Sequence, residues 1–534
     1  MSHYLPDFLS HFVASAFSAE PRPGLQPIPG TKPLTLEAAL CPPLVYYIAL
    51  LLLVPPPPST VESNVIKSLR NVLALLAAFL FFRLPLAYHV PSSIGLNYQL
   101  GLVGMYGGCR VLDAFFVSLY FFDHVPRRVR YHHRPRIATP AVTAEATDFP
   151  WNDEGDSGVL QHPLASSPLD STATSTKGNL ANGAAVKRTL APPGRPKLQQ
   201  RVSMSDKIEN MNNESYSELM QRLMLGPNPE PVTETATTED GWPHGFADRA
   251  SWALELEMSM RGVGFTWTTA DVRHTRKTWL PTVHNRIHSI LAHVGPILLI
   301  CWAIIKYTFV NYLAPDNDVD PVAPGASPFD ERLSLPHQLL LTAALGAFLM
   351  AAFSLGHSLF AILLSPLAPS PIAFFPALYT TRIWEVTSVR GFWSYGWHRL
   401  FARLFLVWGV WPGEWVERKL LRKTSDQPAD VGKVLGGFFS SAFVHAFSVR
   451  CVLGGSWRDA SGEAIFFALN GIAVVVEGAL QRIIMNQRRR RGIESMWYDD
   501  WIGRVWWIAV LLFTGRNFAR GWTKAGLVRE MAFM

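Results

Sequence analysis

Gly436-Gly437-Phe438-Phe439-Ser440-Ser441-Ala442-Phe443-Val444-His445-Ala446-Phe447-Ser448-Val449 is an apolar run holding a single ionisable residue, His445. At helical spacing Ser441, His445 and Ser448 fall at i, i+4 and i+7, on one face with Gly437, while phenylalanines and valines fill the rest. The pattern predicts a membrane helix with a narrow polar stripe. Desolvating an ionisable side chain at membrane depth costs free energy that lipid contact does not return, which makes His445 a candidate functional residue. A neutral histidine hydrogen-bonded to a neighbouring helix fits the same pattern, and this helix alone leaves both possibilities open.

Working outward, the apolar residues of the 534-residue chain are gathered in blocks instead of alternating with polar ones. Mean hydropathy is +0.14 despite a long polar segment, and 18 Trp with 32 Phe suit the aromatic belts of a membrane protein. The net charge of +7 does not point to nucleic acid, because the basic residues sit in short clusters beside apolar runs, as the positive-inside rule requires. Cys41, Cys109, Cys301 and Cys451 form no CxxC pair and lie in or beside apolar stretches, so neither a disulfide framework nor a metal site is expected. No cleaved signal peptide is expected, and the first membrane helix should serve for targeting.

The sequence predicts an all-α, polytopic transmembrane bundle of about eight to ten helices, some of them re-entrant, with a long disordered cytosolic insertion. After an N-terminal tail, 1–33, three spans fill 34–137: Leu34 to Val54, closed by four prolines, then Lys67 to Val90 and Ile94 to Phe122. Arg110 and Asp113, three residues apart in the third, are expected to pair with each other inside the bundle. The basic run from Arg127 to Arg136 marks the cytosolic side. The polar segment 138–241 cannot bury enough apolar area to offset its chain entropy, though an amphipathic helix around Ser205 to Met224 is conceivable. The core, 242–534, opens with an interfacial segment from Trp252 to Trp267. Spans follow at Ile287 to Leu313, His337 to Leu364, the His445 helix, Ala464 to Met485 and Asp500 to Phe518, with short re-entrant pieces between Ser365 and Lys433.

Upstream of His445 lies Ser388-Val389-Arg390-Gly391-Phe392-Trp393-Ser394-Tyr395-Gly396-Trp397-His398-Arg399. The pattern Phe392-Trp393, three residues, Trp397-His398, followed by Ser441-Ala442-Phe443-Val444-His445, resembles the membrane-bound O-acyltransferase family, in particular its wax synthase-like, fungal branch. Arg261-Gly262-Val263-Gly264-Phe265-Thr266-Trp267 is similar to a glycine turn of fungal members, and Glu477 stands where such members often carry a glutamate. The resemblance covers about Trp252 to Gly515. The chain departs from the pattern at Ala442, where glycine is usual, at Ala446, where plant relatives tend to carry glutamate, and in the filler Ser394-Tyr395-Gly396.

The resemblance implies acyl transfer from acyl-CoA to the hydroxyl of a lipophilic alcohol, within the lipid bilayer and in the endoplasmic reticulum. The acceptor is either a long-chain alcohol, giving a wax ester, or a terpenoid or related secondary metabolite. Such chemistry needs a base for the hydroxyl proton, a task suited to an imidazole at neutral pH, and His445 is assigned to it. It also needs a donor for the developing oxyanion, which His398 or the Trp397 indole can supply. Trp393, Trp397, Ser441, Arg390 and Arg399 are the candidate substrate-binding residues, the arginines as partners for the phosphates of coenzyme A. No cofactor is implied beyond acyl-CoA as co-substrate, and no Walker loop, GxSxG elbow or dinucleotide fingerprint is present. Two other classes fit parts of the chain. One is a secondary transporter relaying protons through His445 and the Arg110 and Asp113 pair, and the other is a scaffold that recruits partners through its insertion.

Overall fold

The computed structural model of the chain describes residues 26–53, 63–122, 124–128, 242–243, 245–262, 265–267, 283–314, 327–364, 378–379, 383–398, 400–424, 427–493 and 496–533. The insertion 138–241, with the helix considered at Ser205 to Met224, lies outside them. The principal helices are α1 (Leu36–Leu51), α2 (Asn64–Ala87), α3 (Ile94–Phe121), α4 (Gly245–Met258), α5 (Val283–Leu313), α6 (Leu335–Leu364), α7 (402–421), α8 (Asp430–Arg450), α9 (Ser461–Arg491), α10 (Trp497–Lys524) and α11 (Leu527–Ala532). Strand structure among the described residues is limited to a two-residue parallel pair, Lys32–Pro33 beside Tyr88–His89, and two isolated bridges.

The all-helical membrane class holds. Helices α2, α3, α5, α6 and α9 are each long and apolar enough to cross a bilayer. Large apolar side chains such as Phe79, Leu299, Leu363 and Phe439 point outward from the bundle, which is stable only where lipid replaces water. The chain is an integral membrane protein. Helix α1 has 16 residues, about 24 Å at 1.5 Å per residue, and falls short of the span read at Leu34 to Val54. The 21-residue α8 is long enough to cross, but its glycines, serines and His445 leave it less apolar than the other five. The short pieces expected between Leu400 and Trp411 are instead part of α7, which passes through wide π-type turns at Leu406–Val410 and continues across Pro412.

One buried cluster joins Ile94 and Tyr98 of α3 to Ile305 of α5, Leu341 of α6, Val449 of α8 and Trp522 of α10. A second joins α1, α2 and the middle of α3 to α4. The Trp252 to Trp267 segment, expected to be interfacial, packs its two tryptophans into that second cluster, where Trp252 is 0% and Trp267 1% exposed. A cation holds them there. Arg110 donates to the Tyr106 hydroxyl at 2.6 Å, the Tyr46 hydroxyl at 3.3 Å, the carbonyls of Ser259 at 2.9 Å and Met260 at 3.1 Å, and the carbonyl of Leu256. These carbonyls close the C-terminal end of α4, where a positive charge is favoured. Nearby, Arg128 pairs with Asp248 at 2.5 Å and Glu255 at 2.9 Å.

The Arg110 and Asp113 pairing predicted from their spacing is therefore corrected. Asp113 instead accepts two bonds from Arg403 of α7, at 2.5 and 2.9 Å, and one from Ser118 at 2.9 Å. The two charges are drawn apart by better partners, Arg110 by the carbonyls at the end of α4 and Asp113 by Arg403 of α7.

Helix α8 is seated by close backbone approach. A methyl group on Gly436 would meet the backbone of Gly409 and Gly413 of α7, and one on Gly101 of α3 would lie 2.7 Å from the Ser448 Cα. Neither neighbour is a flexible side-chain tip. Gly436→Val is expected to force α7 and α8 apart and destabilise the protein by about 1–3 kcal/mol or more, read as a lowered melting temperature in detergent. An unchanged melting temperature would contradict this packing.

Candidate active site

The site starts from the α8 polar stripe. His445 lies on α8 with its side chain 17% exposed, stacked on Phe467 of α9 with ring centroids 4.6 Å apart and 28° between planes. Its Nδ1 lies 2.7 Å from the Tyr98 hydroxyl of α3 and 3.4 Å from Oε2 of Glu463, in the first turn of α9. The Tyr98 hydroxyl donates to the same Oε2 at 3.2 Å, and the Trp522 indole of α10 donates to Oε1 at 2.7 Å. Four helices thus converge on one fully buried carboxylate.

Local structure fixes each part. Glu530 of α11 accepts from the Ser93 hydroxyl at 2.5 Å and from the amides of Ile94 at 2.6 Å and Gly95 at 3.3 Å. A carboxylate at the positive end of α3 anchors that helix one turn before Tyr98. In the loop between α8 and α9, Lys524 of α10 pairs with Asp459 and holds its carboxyl below the usual carboxylate range. Because that pKa is depressed, the support this pair gives the loop is present at neutral pH and lost as the pH falls through it.

The second half of the site is the short helical segment 389–396. Glu477 of α9 accepts from the amides of Val389 at 2.8 Å and Arg390 at 3.2 Å and from the Trp506 indole at 3.1 Å, so this carboxylate caps the segment's start. Trp393 donates its indole proton to Asn470 of α9 at 3.1 Å and lies 5.6 Å from the Phe467 ring on which His445 stacks. Trp397 lies 5.9 Å from Trp393 and 5.0 Å from His398, which also meets Phe353 of α6 at 4.5 Å. The His398 Nδ1 is buried and has no hydrogen-bond partner among the described residues. A ring nitrogen without a partner is costly in an apolar setting and is available to a bound molecule. His445 and His398 are joined through the rings of Phe467, Trp393 and Trp397.

The other predicted residues fall differently. Ser441 is buried, and no hydrogen bond joins it to His445 among the described residues. Ser448, on the same stripe, bonds back to the Val444 carbonyl at 2.9 Å and packs on Gly101 of α3. Arg390 enters the site's framework through its backbone amide, and Arg399 lies outside the described residues. A small cleft of about 20 Å³ is lined by Tyr106, Arg110, Asp113, Trp267, Arg403 and Trp408, with neither histidine in its wall. Among the described residues no three His, Cys, Asp or Glu side chains gather as a metal site would require.

Tyr98, Glu463, Asn470 and Trp522 were not singled out in the sequence. The span drawn from Ala464 left Glu463 just outside the membrane, although a lone carboxylate directly before Ala464-Ile465-Phe466-Phe467 is itself a signal.

Residues 376–469, which hold both histidines, match the family described as "Membrane bound O-acyl transferase family". The matched stretch carries the Phe-Trp, Trp-His and distal histidine motifs on which the resemblance rests. It is 25% identical over 276 residues to the "Acetyltransferase ple2" of Rhodocybe pseudopiperita, covering 51% of this chain and 66% of that protein. It is also 25% identical over 305 residues to the "O-Mevalon transferase macI" of Penicillium terrestre, covering 52% and 64%. To the "Acetyltransferase eriL" of Hericium erinaceus it is 27% identical over 259 residues, covering 47% and 63%. The matches span just under two thirds of the length of each relative. No solved structure matches the chain significantly.

Proposed function

We propose that this protein is an O-acyltransferase of the endoplasmic reticulum membrane that moves an acyl group from acyl-CoA to the hydroxyl of a lipophilic alcohol. The observation that carries the proposal is His445, an imidazole deep in an apolar bundle with Nδ1 committed to Tyr98 and Glu463. With that nitrogen engaged, Nε2 is the atom left for chemistry. It takes the proton of the alcohol as the oxygen bonds to the thioester carbonyl carbon. The C–S bond then breaks, and the proton passes from Nε2 to the departing thiolate of coenzyme A. His398 is the donor for the oxyanion, with its Nδ1 free of partners among the described residues. The ring-lined interior keeps water from the thioester.

Two of the relatives carry the name acetyltransferase, which favours a short acyl donor and, as acceptor, a terpenoid or similar secondary metabolite over a long-chain alcohol. Membranes containing the protein, incubated with labelled acetyl-CoA or palmitoyl-CoA and a panel of lipophilic alcohols, are expected to release a labelled ester with acetyl-CoA and a cyclic or isoprenoid alcohol. Labelled wax ester alone would reverse the donor and acceptor assignment. No ester with either donor would count against acyl transfer itself.

A further inference from the structure

We propose that Glu463 is a positioning residue for the O-acyl transfer described above, acting through Tyr98 to hold His445 in the tautomer whose Nε2 can accept the alcohol's proton. The inference deepens that functional reading and rests on it.

The argument is a count of hydrogens. When Glu463 is ionised, its carboxylate has acceptors only. Its Oε1 is taken by the Trp522 indole at 2.7 Å, and its Oε2 by the single hydroxyl hydrogen of Tyr98 at 3.2 Å. The Tyr98 oxygen also lies 2.7 Å from Nδ1 of His445. With the tyrosine's only hydrogen spent on the carboxylate, the hydrogen in that contact must come from Nδ1. A neutral imidazole protonated at Nδ1 carries its lone pair on Nε2, which is the base. When Nε2 takes the alcohol's proton, the ring becomes a cation 3.4 Å from Oε2, so the charge that develops during the step meets one already in place. No water is needed at any link, and the chain neighbour of His445, Ala446, supplies no carboxylate. The carboxylate comes from the next helix instead.

A glutamine at 463 has nearly the same shape but carries an amide donor. That amide can give a hydrogen to Tyr98, whose own hydrogen then turns to Nδ1 and drives the ring proton to Nε2, removing the base. In purified protein assayed with labelled acetyl-CoA and an accepted alcohol, Glu463→Gln is expected to lower kcat by about 10²- to 10⁴-fold with KM changed less than about 3-fold. Glu463→Asp should recover part of the loss, and Tyr98→Phe should lower kcat by about 10- to 10²-fold. In a His445→Ala background, where residual turnover is counted over long incubations, Glu463→Gln should cost nothing further, because a residue acting through the imidazole has nothing left to act on.

Wild-type kcat in Glu463→Gln would overturn the proposal. So would a loss that adds in full to that of His445→Ala, since this would make Glu463 a support of the fold alone. Should Glu463→Gln fail to accumulate, Tyr98→Phe with unchanged kcat overturns it equally. Full activity in His445→Ala would be a different failure, that of the base assignment.

Discussion

His445→Ala is expected to lower acyl transfer by about 10²- to 10⁴-fold, the usual worth of a positioned general base, while the protein still accumulates in membranes. The fold should survive because the groups around the ring satisfy one another without it: Tyr98 and Trp522 both donate to Glu463. The vacated space borders Phe467 and Phe518, and its cost is that of a core truncation, about 2–5 kcal/mol at most, set against the many contacts of α8 with α3, α7 and α9. Turnover with labelled acetyl-CoA, measured beside the melting temperature of the same preparation, separates the two effects. Wild-type turnover would remove His445 from the base role, whatever the melting temperature did.

The second large effect falls on His398. As a donor to the oxyanion it is worth about 10²- to 10³-fold in kcat, so His398→Ala should show a loss of that size with little change in KM. His398→Asn, which keeps a side-chain donor, should recover part of it. The position is suited to this use because the ring is walled by Trp397, Phe353 and Phe401 and its Nδ1 has no partner among the described residues. If His398→Ala keeps its kcat while Trp397→Phe loses it, the indole is the donor and the histidine is packing.

The helical class was legible in the sequence, and the two histidines stood out there as candidates, because each depends on local pattern: apolar blocks of spanning length, and an ionisable residue on an apolar helix face. The partners of His445 were not legible. Glu463 and Tyr98 stand 18 and 347 positions from His445, and only the packing of α3, α8 and α9 brings them to its Nδ1. Arg110 and Asp113 show the converse error. Their spacing suggested a pair on one helix face, yet better partners on α4 and α7 separate them into an α4 clasp and an Asp113–Arg403 pair. With both charges engaged in holding helices together, the proton relay that a transporter would need has lost two of its three members.

The central claim concerns where the alcohol meets the imidazole. A cryo-EM structure of the protein in lipid, trapped with a non-hydrolysable acyl-CoA analogue and an accepted alcohol, tests it most directly. The predicted result is the alcohol oxygen within about 3.2 Å of Nε2 of His445, with Nδ1 still on Tyr98 and the thioester carbonyl oxygen directed toward His398 or Trp397. An alcohol bound elsewhere, or an Nε2 closed off by another protein group in the ternary complex, would contradict it.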